Sequence, residues 1–337
     1  MPTDNPLTTL YKEVDGSKIS TDVYLPPSDA SSPQKYPVVI DIHGGAFMLG
    51  HSRMVSIPQV NDCLDRGWIV LVPNHRLCPG VNLLDGPMRD IRDLLAWIHD
   101  GHLEQFLKDH GPYQADLENV AAFGTSSGGH LALSLGFNVP IPAKAIFSLY
   151  GTVNFSNPLW SKPIPHVAAK LPKDLSLEFL NKIYDEFPIP TDSSVSLEGQ
   201  TESGVSKGPD FSKARDAFAF TQIAGGMVTS AIYPQSQSID TKFDLVDPAR
   251  NVTANFPPTY IVHGQADTMV PIDLSRDFLA TLKEAGVRCG MTEVPGEEHT
   301  FAAMMEVGSK TWWLQREGFD FLEEIIGRGP KKGRFSS

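Results

Sequence analysis

Short, uninterrupted apolar runs rich in β-branched residues alternate along this chain with longer stretches whose apolar positions recur every three to four residues. The runs PVVIDIHGG (Pro37–Gly45), WIVLVPNHR (Trp68–Arg76), VAAFG (Val120–Gly124), AKAIFSLYG (Ala143–Gly151), PTYIVHG (Pro258–Gly264) and CGMTEVPG (Cys289–Gly296) read as buried strands. Between them, Pro87–His99 places Met88, Ile91, Leu94, Leu95 and Ile98 at a helical period, with Pro87 in a permitted first-turn position. Asp273–Ala285 repeats that period through Leu274, Phe278 and Leu282 until Gly286 stops it, and a last helix is predicted near Thr311–Ile326. Alternation of this kind predicts an α/β fold, a mostly parallel sheet with helices on both faces. The opening TLYKEV and KISTDVYL, joined at Asp15-Gly16, read instead as an antiparallel hairpin at the sheet edge.

Roughly a hundred residues between Gly151 and Pro257 break this rhythm, too many for a plain loop. They are rich in Pro and Ser, with helical patches near Leu175–Tyr184 and Phe211–Thr229, and Ser193–Lys207 is the stretch expected to be mobile. The pattern therefore divides the chain into a core of residues 1–151 and 257–337 and an inserted cap of residues 152–256. The expected place for that cap is over the carboxyl edge of the sheet, where α/β folds bind ligands. Its aromatic and apolar residues Phe155, Trp160, Phe179, Phe218, Phe220, Met227 and Tyr233 suit either an apolar substrate wall or the cap's own core.

Composition changes the picture in one direction. With 41% hydrophobic residues and a formal net charge of −12, the chain has an ordinary globular core and lacks the basic patch that phosphate binding needs, which disfavours nucleic acid. No apolar stretch approaches the roughly 18 residues of a membrane span, and the N-terminus lacks a signal-peptide pattern, so a cytoplasmic setting is expected. Three scattered cysteines, Cys63, Cys78 and Cys289, show no metal-ligand spacing and read as buried thiols; neither metal nor organic cofactor is expected.

The chemistry centres on FGTSSGGHLALSL (Phe123–Leu135), where Gly124-Thr125-Ser126-Ser127-Gly128 fits G-x-S-x-G between a strand and a helix. A sharp turn there holds Ser126 in a strained conformation, with Gly124 and Gly128 required by close backbone contacts. Ser126 then projects its hydroxyl, while the Ser127 backbone N–H is placed to donate to an oxyanion. A Gly/Ser-rich turn alone would carry no chemistry, but other pieces follow in order. HGGAF (His43–Phe47) follows a buried strand with glycines that free backbone N–H groups; His43 itself reads as a loop anchor. Asp267 in HGQADTMVP and His299 in PGEEHTF complete the order Ser–Asp–His, in which imidazole takes the serine proton and carboxylate fixes the tautomer. Among the ten histidines, only His299 follows the final strand on a loop; Asp273 and Glu298 are the rivals of Asp267 for the acid.

With HGGAF, NHRLCP, DIRDLLAWI, GTSSGGH, HGQADTMVP and PGEEHTF in place, the chain resembles the α/β-hydrolase-fold serine esterases of the hormone-sensitive-lipase-like group from about residue 36 to 327. HGQADTMVP looks more like the prolyl-oligopeptidase-like and feruloyl/acetyl-esterase branches. The resemblance implies oxyanion donors at the backbones of Gly45 and Ala46, with Gly44 shaping the turn and Ala46 standing where the family's third glycine usually is. It implies a serine carboxylic-ester hydrolase acting through an acyl-enzyme on a small or medium, apolar or aromatic ester. Acyl transfer or cyclisation on a metabolite is the alternative, and formamidase, peptidase and non-catalytic receptor readings are weaker. The expected partner is a small-molecule ester, with a homodimer left open.

Overall fold

The computed structural model describes residues 6–28, 32–197, 208–233 and 239–330. Eight strands form one sheet: β1 (Leu7–Val14), β2 (Ser17–Tyr24), β3 (Gln34–Ile42), β4 (Ile69–Pro73), β5 (Tyr113–Thr125), β6 (Ile146–Leu149), β7 (Thr259–Gly264) and β8 (Cys289–Val294). Their order is β1-β2-β4-β3-β5-β6-β7-β8. The β1–β2 hairpin and the β2–β4 pair are antiparallel, and the ladders from β4 through β3 and β5 to β8 are parallel. The expected edge hairpin is present, turning at Asp15 and Gly16, both with positive φ. β5 extends well ahead of the apolar run that signalled it, because Tyr113–Asp116 pair with Gln34–Pro37 before a register shift.

The helices of the sheet-bearing part are α1 (Ile57–Asp65), α2 (Arg89–His99), α3 (His102–Lys108) and α4 (Ser127–Leu133). Between β6 and β7 the chain forms α5 (Pro165–Ala168), α6 (Leu177–Asn181), α7 (Ala214–Ala224), α8 (Val228–Ala231) and α9 (Ile239–Val246). α10 (Ile272–Glu284) and α11 (Lys310–Ile326) complete the fold. α2 starts two residues after the expected Pro87, which instead sits in a π-turn over Leu84–Met88 closed by Met88 N–H on the Leu83 carbonyl, 3.0 Å. The proline ring donates nothing, so the turn preceding the helix is where it costs least.

The alternation of strand side chains explains the continuous apolar runs. Ile40, Ile69, Leu71, Ala122, Ile146 and Ile261 face one core, shared with α2, α3, α4 and α10. Val39, Val70, Val72, Phe123, Phe147 and Val262 face the other, beneath α1 and α11. Both faces are covered, so the central strands read as nearly continuous apolar runs. Phe155, Trp160, Phe218, Phe220 and Ile223, all between β6 and β7, belong to the same continuous apolar cluster as α2, α4 and α10.

Two buried ionic anchors tie that intervening segment down. Asp247 accepts the backbone N–H groups of Asn154 (2.9 Å), Phe155 (2.6 Å) and Ala249 (3.0 Å), clamping the segment's two ends together. Arg215, in the first turn of α7, pairs with Glu186 and donates to the carbonyls of Met48 (2.7 Å) and Cys78 (2.9 Å). Residues 193–197 are the described part of the stretch read as mobile. Ser193 and Gly50 exchange two hydrogen bonds of 2.8 Å, and Val195 and Ser196 are buried. The rest of that stretch, 198–207, lies outside the described residues.

Candidate active site

The side chains singled out in the sequence, Ser126, Asp267 and His299, follow the carboxyl ends of β5, β7 and β8. Ser126 follows β5 directly and precedes α4, with φ 51° and ψ −121°, a region costly for any residue with a side chain. Its neighbours hold it there. The Ser126 N–H donates to the Leu149 carbonyl at 2.9 Å, and its own carbonyl accepts from Thr152 and His130 N–H, each at 3.3 Å. The flanking glycines are enforced by contact. A Cβ on Gly124 would stand 2.4 Å from the Gly128 carbonyl oxygen and 2.6 Å from that of Ile42.

Ser126, His299 and Asp267 meet. The Ser126 hydroxyl donates to His299 Nε2 at 2.9 Å, and His299 Nδ1–H donates to Asp267 Oδ2 at 2.7 Å. His299 lies beyond β8, just before a one-turn helix at Phe301–Ala303, with its ring edge-on to Tyr150 at 4.9 Å. Asp267 Oδ1 accepts the N–H groups of Met269 (2.9 Å) and Val270 (2.8 Å). Burial pushes the Asp267 carboxyl up, but the His299 charge and hydrogen bonds from His263 and His299 outweigh it and hold the group well below the usual carboxylate range. The rival acids stand elsewhere. Asp273 pairs with Arg276 on the surface, and Glu298 accepts from the Thr268 backbone and hydroxyl.

His43, Gly44, Gly45 and Ala46 leave β3 beside the serine. Gly45, Ala46 and Phe47 have φ of 111°, 53° and 64°, and the Gly45 carbonyl accepts from Met48 (3.0 Å) and Leu49 (2.9 Å). Ala46 thus occupies a left-handed position that suits glycine, at a cost of about 1–2 kcal/mol. His43 Nδ1–H donates to the Gly44 carbonyl at 2.7 Å while its ring stacks on His75 at 4.7 Å. Burial, with a smaller push from His75, lowers the His43 pKa well below the ordinary imidazole value, so the ring is a neutral anchor. His75 and Arg76 of NHRLCP are structural in the same way, Arg76 gripping the buried Asp90 of α2 at 2.7 Å.

A cavity of about 520 Å³ opens on these groups, lined by Gly45, Ala46, Ser126 and His299 at one end. Phe155, Trp160, Phe220 and Ile223, from the segment between β6 and β7, form much of its wall. Phe179, Phe218, Met227 and Tyr233 are not among the lining residues, and neither is the fully buried Ser127. Two residues that position the site had no distinct signal in the sequence. Arg215 holds the loop after HGGAF from α7, and His263 donates its Nε2–H to Asp267 at 3.1 Å. Only its place four residues before Asp267 could have pointed to His263.

Comparison with known proteins agrees with this architecture. The BD-FAE family model matches residues 21–155, and the prolyl oligopeptidase family model matches residues 224–328. Thermogutta terrifontis esterase 2, in its tabun-treated form, superposes with a TM-score of 0.62 at 18% identity, covering 97% of each chain. A Staphylococcus aureus protein of unknown function superposes with a TM-score of 0.64 at 16% identity, over 95% of this chain and 99% of that one. Among curated proteins, a non-reducing polyketide synthase of Preussia isomera is 32% identical over 94% of this chain. Methylphloroacetophenone synthase of Cladonia uncialis is 27% identical over 94% of it. The chain spans only 14% and 13% of those two relatives. The fold and the family matches define an α/β hydrolase of the serine-hydrolase kind. Within that class the chain is similar to the BD-FAE family over residues 21–155 and to the prolyl oligopeptidase family over residues 224–328.

Proposed function

We propose that the chain is a serine carboxylic-ester hydrolase working through an acyl-enzyme at Ser126. The observation that carries this reading is the continuous hydrogen-bond relay from Ser126 through His299 to Asp267, at 2.9 and 2.7 Å, opening on the cavity. His299 Nε2 takes the Ser126 proton as Oγ attacks the acyl carbon, and Asp267 holds Nδ1–H and stabilises the imidazolium. The backbone N–H groups of Gly45, Ala46 and Ser127 receive the tetrahedral oxyanion. His299 then protonates the departing alkoxide, leaving the acyl group on Ser126. Water, deprotonated by the same imidazole, attacks the acyl carbon and releases the acid and the serine. Residues 152–256 act as a cap that shapes an apolar acyl site through Phe155, Trp160 and Phe220. A reducing, cytoplasmic setting fits the three free thiols of Cys63, Cys78 and Cys289.

A specific observation favours a second reading of the same acyl-enzyme. Similarity runs along nearly the whole chain to a short part of several polyketide synthases. On this reading the acyl group passes from Ser126 to an alcohol, an amine or a nucleophile on its own chain, instead of to water. One experiment tests both. An activated aryl ester is turned over with and without an added alcohol, and the acid and new ester are quantified. Hydrolysis predicts acid as the dominant product at every alcohol concentration, while transfer predicts new ester displacing acid. A stoichiometric organophosphate label that maps to any residue other than Ser126 would sink both.

A further inference from the structure

His263 contacts the same carboxylate oxygen as His299. It lies on β7 with no exposed surface, and its Nε2 stands 3.1 Å from Asp267 Oδ2 and 2.8 Å from the Val270 carbonyl oxygen. Both neighbours are acceptors, so Nε2 carries the proton and donates to both. On the other side of the ring, Nδ1 accepts from the Ser275 hydroxyl of α10 at 2.8 Å. The tautomer is therefore set by the fold. Asp267 in turn has four donors on two oxygens: Met269 and Val270 N–H on Oδ1, and His299 and His263 on Oδ2.

We propose that His263 is a positioning residue for the reaction, one that tunes how strongly Asp267 pulls on His299. Because Oδ2 is shared, the charge available to His299 Nδ1–H is reduced, and the imidazolium gains less than from a carboxylate oxygen devoted to it. The second bond, to the Val270 carbonyl, locks the 267–270 turn so that Oδ2 cannot rotate away. Other groups around the pair act more weakly. Glu293 lies beside His263 across the β7–β8 ladder, but Arg276 on α10 pairs with it. Glu298 is engaged by Thr268, and Tyr150 meets His299 with its ring. The inference rests on the acyl-enzyme reading above.

The test compares His263→Gln with His263→Asn. Glutamine carries its amide N–H₂ near the position of Nε2 and can still donate to Asp267; asparagine reaches only the Nδ1 position. The acid limb of kcat/KM for a small activated ester should move up by about half a pH unit in His263→Asn, with kcat lower by roughly tenfold and KM changed less than twofold. His263→Gln should keep the wild-type limb and most of kcat. Equal losses in both variants with no movement of the acid limb would mean that His263 only fills space, and would overturn the inference. The wild-type protein gives a second readout should either variant fail to fold. Imidazole nitrogen NMR should show His263 carrying its proton on Nε2, and a ring protonated only at Nδ1 would overturn it too. Failure of the underlying reading is distinct: Ser126→Ala would then retain turnover whatever stands at 263.

Discussion

Gly128 lies so close beneath Ile42 that a Cβ on it would stand 2.0 Å from the Ile42 carbonyl oxygen and 2.5 Å from that of His43. The first turn of α4 is thus pressed against the end of β3, and the serine and the HGGAF loop are set by one contact. Gly128→Ala must push these backbones apart, at an expected cost of about 3 kcal/mol or more and loss of the site. Gly208 has nothing within 4 Å of its would-be Cβ, so Gly208→Ala should be close to neutral. Thermal unfolding and ester turnover of the two variants check this. A Gly128→Ala protein as stable and active as wild type would contradict the contact.

The two serines of the elbow should separate cleanly. Ser126→Ala removes the hydroxyl hydrogen-bonded to His299 Nε2 and should lower kcat by about 10⁴-fold or more with the fold intact. Ser127 is fully buried, with its hydroxyl away from the cavity lining, so Ser127→Ala should retain most activity. Labelling by a small organophosphate followed by peptide mapping reads this directly.

Asp267→Asn faces a problem that geometry makes plain. All four partners of the carboxylate are donors, so the amide must aim its own N–H₂ at two N–H groups. The clash should destabilise the protein by about 1–3 kcal/mol, and the wrong His299 tautomer should lower kcat by roughly 10³–10⁴. Near-wild-type rates in Asp267→Asn, together with a loss in Glu298→Gln, would move the acid's role to Glu298.

Acid should weaken the fold in a definable window. Burial lowers His130 from 6.5 to about 4, and also lowers His43 and His75, so the native state keeps these rings neutral. A folded pKa below the unfolded one contributes stability that is present above about 6.5 and is lost as pH falls toward 4, because the unfolded chain takes up the protons first. For His130 alone this is on the order of 3 kcal/mol. Asp267, held below its unfolded value, extends the loss at still lower pH. Urea unfolding at several pH values should show midpoints falling steadily below pH 6.5, and flatter behaviour in His130→Phe would assign the effect.

Phe218 and Phe220 sit two residues apart on α7, both buried, but only Phe220 lines the cavity; Phe218 packs edge-on to Tyr184 at 5.9 Å. Truncating either to Ala should cost about 3–5 kcal/mol of stability. Only Phe220→Ala should reorder kcat/KM among acetyl, hexanoyl and aromatic esters, by tens-fold. Uniform losses in both would mean that the wall does not select the acyl group.

The parallel strands, the edge hairpin, α2, α10 and α11 were legible in sequence because period-2 and period-3.6 burial, and glycines at tight turns, are local consequences of where side chains must go. The same holds for Ser126, Asp267 and His299, whose order along the chain follows from which strand ends meet at one edge of the sheet. Tertiary structure alone decided the rest. That Gly124 and Gly128 touch Ile42, that Arg215 braces the Met48 carbonyl from α7, and that His263 shares Oδ2 with His299 are contacts between residues whose pairing leaves no periodic trace. Phe220 could be told from Phe218 only once α7 was laid against the cavity, since both are equally apolar and their difference is one of facing. Local pattern specifies what must be buried; only the packed chain specifies against what.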